Sequence, residues 1–99
     1  MREKLLEIIN HYGVGSQLKY FQSEVFELNE AIMSAEYSRY IGIVREPAKC
    51  CIEHIKEEIA DVHVMLRQFQ LYYGITDEEI VKIAKEKTLR QIERIKNEK

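Results

Sequence analysis

The 99-residue chain predicts an all-α fold: an antiparallel helical bundle with two long helices and a shorter helix at each end, forming one domain over residues 1–99 and completed by homo-oligomerisation. Three observations predict it. Apolar residues recur at helical spacing along most of the chain, and no run of alternating β-branched residues argues for a strand. The four glycines and the single proline fall between the helical patterns, where they punctuate rather than interrupt. Finally, a chain this short buries a limited core alone, and two long helices with exposed flanks bury more when a second copy joins them.

The elements follow in order. A short amphipathic helix runs over about residues 2–11 and ends at Gly13 and Gly15. In the first long segment, Leu18, Phe21, Val25, Leu28, Ile32 and Ala35 are spaced 3, 4, 3, 4, 3. In the second, Ile52, Ile55, Ile59, Val62, Leu66 and Phe69 repeat those spacings. Each set is an a/d seam of the kind that packs helix against helix. Gly42 and Pro47 bracket the break between these segments, and Gly74 stops the second. The last helix opens at "TDEE", where Thr76 as N-cap and Glu79 three residues on form a capping-box signature.

Composition removes several classes of function. Apolar residues make up 45% and charged residues 32%, a globular balance. Net charge is −2 with no long basic block, so no nucleic-acid partner is expected. Neither the N-terminus nor any later segment has an apolar run long enough to span a membrane, and none is expected as a partner. Cys50 and Cys51 are adjacent, a poor geometry for a bridge, and no CxxC spacing offers zinc or redox chemistry. Two partly buried thiols in a reducing cytoplasm is the expectation.

The seam gives meaning to two acidic pairs. "SEVFELNE" carries Glu24 and Glu27; "KEEIADVH" carries Glu58 and Asp61. Against the seam, Glu24 and Glu58 are both g positions and Glu27 and Asp61 both c positions, an offset of 34 residues between helices. Side chains three apart on a helix lie about 5–6 Å apart at Cβ, so each pair aims two carboxylates at one place. In an antiparallel hairpin g edges meet g edges. Glu27 and Glu58 are equidistant in sequence from the point between Gly42 and Ile43, as are Glu24 and Asp61. Four carboxylates therefore converge beside the seam. A single ExxE is ordinarily a solvated helix face; two pairs at matching positions are harder to explain that way. Such a cluster needs protons, basic side chains or a hard cation to offset its charge. An all-oxygen donor set favours magnesium, manganese or calcium over zinc or copper.

These residues carry a family likeness. "QLKYFQSEVFELNEAI" followed by "HIKEEIADVHVMLRQF" resembles the MazG-like all-α nucleoside triphosphate pyrophosphohydrolases, a superfamily that includes the dCTPase and dimeric dUTPase branches. Its signature is ExxE on one helix and ExxD on the next, here Glu24, Glu27, Glu58 and Asp61, each motif followed by an apolar residue, Leu28 and Val62. The likeness spans roughly residues 17–96 and is strongest to compact phage-type and bacterial members. It implies hydrolysis of a (d)NTP to the (d)NMP and pyrophosphate. The four acids would be both metal ligands and catalytic groups, with Mg2+ (or Mn2+) bound to the phosphates. It further implies a homodimer or homotetramer, and a basic element near the C-terminus, carried over to Lys87 and Arg90 as substrate-binding residues. Their alternative is solvated charge on a terminal helix. Ser23 departs from the family, since many relatives carry a glutamate there. The stretch between the motifs, residues 28–57, is also long.

Other residues receive less. His54 lies one turn before Glu58 and reaches the rim of the cluster, although a lone histidine on a helix flank is more often structural. A ferritin-like di-iron site would need Glu-x-x-His, and no histidine here has a glutamate three residues before it. Tyr37, Tyr40, Tyr72 and Tyr73 are expected to close the bundle. The competing class of function is a non-catalytic helical interaction or regulatory module that retains the fold.

Overall fold

A computed structural model describes residues 1–43 and 45–98, with the backbone alone at Ser38. Four helices and no strand occur among the described residues: α1 (Arg2–Tyr12), α2 (Val14–Tyr40), α3 (Lys49–Tyr72) and α4 (Asp77–Lys96). Two glycines make the corners. Gly13 takes φ +87°, a left-handed value that lets α1 and α2 meet across a single residue, while its N–H bonds to Ile9 O at 2.8 Å. Gly15 therefore lies inside the first turn of α2 rather than ending α1. Gly74 at φ +68° turns the chain between α3 and α4. At that corner the capping box forms as the sequence predicts: Glu79 N donates to Thr76 Oγ1 and Thr76 N to Glu79 Oε1, both at 3.2 Å.

Helices α1, α2 and α3 pack on one another, and α4 packs on none of them. Leu5 and Ile9 of α1, Ala31 and Ala35 of α2, and Met65 of α3 are buried. Phe21 and Phe69 meet edge to face, with centroids 5.6 Å apart.

The a/d seam is not the buried one. Its d positions are half-buried or, at Ala35, buried. Its a positions, Leu18, Val25 and Ile32 on α2 and Ile52, Ile59 and Leu66 on α3, are 39–51% exposed. Burial moves instead to the g edge, where Gln17, Glu24 and Ala31 face Glu58 and Met65. Helix α1 packs on both long helices, and its Ile8 and Tyr12 line a cavity with Gln17, Glu24, Met65 and Gln68 of that side. Tyr37, Tyr40, Tyr72 and Tyr73, expected to close the bundle, are exposed as well. Every described residue of α4 from Asp77 onward is exposed, including Ile80, Ile83, Leu89, Ile92 and Ile95. The outcome is extended, with a radius of gyration of 17.2 Å against about 13 Å for a compact chain of this length.

Candidate metal centre and adjoining cavity

The acidic pairs lie at mid-length on α2 and α3, on the edge that α1 helps to enclose. Carboxylate oxygens of Glu24, Glu27 and Glu58 lie within 4.8 Å of one another. Glu24 is 6% exposed and Glu58 9%, while Glu27 is exposed at the rim. Glu24 Oε2 and Glu58 Oε2 are buried and have no hydrogen-bond partner. Unpartnered buried carboxylate oxygens are rare and costly.

Nothing basic offsets them. Among the described residues, no lysine or arginine pairs with these acids; the imidazole Nε2 of His54 lies 3.9 Å from Glu58 Oε1. Burial holds the Glu24 carboxyl above the usual carboxylate range; a hydrogen-bonding interaction with Tyr20 opposes this, and the charges of Glu27, Asp61 and Glu58 reinforce it. Conversely, Glu24 raises the Tyr20 phenol, first through that interaction and then through its charge. Three convergent carboxylates, two of which also carry a buried unpartnered oxygen, make a donor set suited to a hard divalent cation.

Asp61 stands apart from this trio. It lines, with Glu24, one end of a cavity of about 540 Å³ between α1, α2 and α3. Tyr12, Tyr20, Val64 and Met65 form much of its wall, and Gln17 and Gln68 lie at the end away from the acids. On the other side of the cluster, Glu27, Glu58 and His54 border a smaller recess with Glu30 and Ser34. His54 is thus at the rim that the sequence expects.

The structure does not bring Lys87 and Arg90 to the cluster. Both are exposed on α4, which packs against no other helix. Two polar residues escape the sequence reading altogether. Gln17 and Gln68 are 7% and 2% exposed, and Gln17 Nε2 donates to Gln68 Oε1 at 2.8 Å. Their signal was present: Gln17 precedes Glu24 by seven residues and Gln68 follows Asp61 by seven, one heptad further along the acidic edge of each helix.

Comparisons with protein-family models, with curated proteins and with solved structures return no match to this chain.

Proposed function

We propose that the protein is a magnesium-dependent nucleoside triphosphate pyrophosphohydrolase, converting a (d)NTP and water to the (d)NMP and pyrophosphate as a homo-oligomer of antiparallel bundles. One observation carries the reading: carboxylate oxygens of Glu24, Glu27 and Glu58 converge within 4.8 Å, and Glu24 and Glu58 each also bury an oxygen that has no hydrogen-bond partner. A solvated acidic face would leave those oxygens in water. Here burial is sustained without a basic partner, a situation that a cation resolves.

Glu24, Glu27 and Glu58 would hold the cation, Mg2+ or Mn2+, with Asp61 completing the acidic set from the cavity side. When bound, such a cation supplies Lewis-acid polarisation of phosphate oxygens and a water of lowered pKa. The remaining work belongs to the chain. Burial of Glu24 and Glu58 limits their access to water, which strengthens their electrostatic hold on whatever binds. A carboxylate not engaged by the cation accepts the proton of the attacking water as the α–β phosphoanhydride opens. Lys87 and Arg90 would meet the triphosphate from α4 of a second copy.

The second copy has its own support. Two heptad rows of half-exposed apolar side chains run along the a edge, and α4 carries an apolar row with nothing packed on it. Contiguous apolar surface of this kind marks an interface. The charge distribution agrees: Lys82, Lys85, Lys87, Arg90, Arg94 and Lys96 outnumber Glu86 and Glu93 over the length of α4 beyond its first turn, whereas acids prevail in the body.

The test is pyrophosphate release by purified protein with magnesium across a panel of ribo- and deoxyribonucleoside triphosphates. Release from at least one nucleotide is expected, and its loss in Glu58→Gln. A well-folded wild type that is silent across the panel with both magnesium and manganese overturns the reading in favour of a helical interaction module.

A further inference from the structure

We propose that the cavity between α1, α2 and α3 is a nucleoside site in which the amide pair Gln17–Gln68 reads the edge of the base. The inference starts from an incomplete hydrogen-bond account. Two primary amides offer four N–H donors and two carbonyl acceptors. In the pair, Gln17 Nε2 donates to Gln68 Oε1 at 2.8 Å. Their other protein contact is the thioether of Met65, at 4.0 Å from Gln17 Nε2 and 3.9 Å from Gln68 Nε2, and sulfur is a weak acceptor. Gln17 Oε1 and Gln68 Nε2 thus remain, one acceptor and one donor, on side chains more than nine-tenths buried that line the cavity. Turning both amides over exchanges the roles and leaves the same count.

An acceptor and a donor lining one cavity are complemented by a ligand edge that carries both a donor and an acceptor. The hydrogen-bonding edge of a nucleobase carries that arrangement. A sugar phosphate offers hydroxyls and anionic oxygens, and an acyl chain offers nothing. The walls suit a flat ring: Tyr12 and Tyr20 supply aromatic surface, with Ile8, Val64 and the polarizable Met65 thioether for its faces and edges. Such a balance of apolar wall and few polar groups is usual for small-molecule sites, as is a volume of about 540 Å³.

The cavity also has direction. Along α2, Gln17 and Glu24 are seven residues apart, and along α3, Gln68 and Asp61 are too, which is about 10.5 Å of helix. With its base on the amides, a nucleoside would point its 5′ end at the acids. This orientation rests on reading the acidic cluster as the phosphate end; recognition of the base does not.

The experiment uses nucleosides alone, in EDTA, so that neither cation nor catalysis is needed. Uridine, cytidine, adenosine and guanosine are titrated into 15N-labelled protein, with ribose 5-phosphate as the probe lacking a base. At least one nucleoside should shift both glutamine side-chain amide signals, and ribose 5-phosphate neither. Gln17→Leu and Gln68→Leu should each weaken that nucleoside about ten-fold, the usual consequence of losing one buried hydrogen bond. Absence of any nucleoside-dependent shift in the wild type overturns the proposal without reliance on a variant's folding. So does unchanged affinity in both variants. The two readings fail separately. Nucleoside binding without pyrophosphate release sinks the hydrolase alone. Pyrophosphate release whose base preference is indifferent to both glutamine substitutions sinks the base site alone.

Discussion

The two edges of the α2–α3 pair invert the usual arrangement of a helical hairpin. Along the acidic edge, Glu24, Glu58, Gln17 and Gln68 are buried, and along the a edge Leu18, Val25, Ile32, Ile52, Ile59 and Leu66 are half exposed. Helix α1 lines a cavity with Gln17, Glu24 and Gln68, and no helix of the same chain, α4 included, covers the apolar row. Stability alone does not select this pattern: buried unpartnered carboxylates destabilise, and exposed apolar rows forgo burial worth about 25 cal/mol per Å². The inversion makes sense if each edge awaits something, a cation and nucleotide on one and a second copy on the other.

The largest expected effect breaks the polar edge. Glu58→Gln keeps the side chain's size but removes a charge at the centre of the cluster. Pyrophosphate release should fall at least about a hundred-fold, the scale for removing one group that stabilises developing charge. Substitution of Glu57, one position round the same helix and exposed, should leave the rate within about two-fold. Equal losses at both positions would mean that the buried edge is not special.

The apolar edge is tested by Ile59→Lys. Ile59 is 51% exposed in one chain, and burying the remaining half of such a side chain at an interface contributes about 1 kcal/mol per copy. Light scattering should show a drop in mass, with melting that becomes independent of protein concentration. A wild type that is monomeric at every concentration would remove the reason offered for the exposed row.

How much of this could be read beforehand depends on the kind of information. The helices, the capping box at Thr76 and the convergence of Glu24, Glu27 and Glu58 follow from local pattern, because helix geometry converts spacing directly into a face. Which face turns inward did not follow. The a/d rows of Leu18 and Ile59 and the g rows of Glu24 and Glu58 sit side by side on the same helices, and hydrophobicity alone ranks the first as core. Helix α1 bears on the choice: after the one-residue turn at Gly13 it buries Leu5 and Ile9 and lines a cavity with Gln17, Glu24 and Gln68. The amide pair was missed for a related reason: glutamine is neutral in every pattern count, and only its partner across the helix pair gives it meaning.

A smaller effect sharpens the polar edge. Without metal, Glu24→Gln removes a buried charge whose oxygen lacks a partner, so the variant should be more stable than wild type by about 1 kcal/mol, or roughly 4–8 °C in Tm. Magnesium should raise the Tm of wild type and not that of the variant. A variant less stable than wild type in EDTA would show that the carboxylate is already satisfied.

The smallest effect lies between the two regions, where α4 leaves α3. Asp77 Oδ1 accepts from Gln70 Nε2 at 2.6 Å and from Arg67 Nη1, and it sits in the first turn of α4, where the helix dipole favours an anion. The Gln70 bond first, then that of Arg67, holds its carboxyl below the usual range. A depressed folded-state pKa contributes stability that is complete above the unfolded value and is lost as pH falls through the folded one. Acidification below the ordinary aspartate range should therefore loosen the tether of α4. Asp77 is exposed, so the loss is local. Amide exchange over Asp77–Ile80, corrected for intrinsic rates, should quicken on that acid limb in wild type. In Asp77→Asn it should be fast at all pH values and flat across the limb. A wild-type profile as flat as the variant's would detach Asp77 from the positioning of α4, leaving the corner at Gly74 and the Thr76 cap to set its direction.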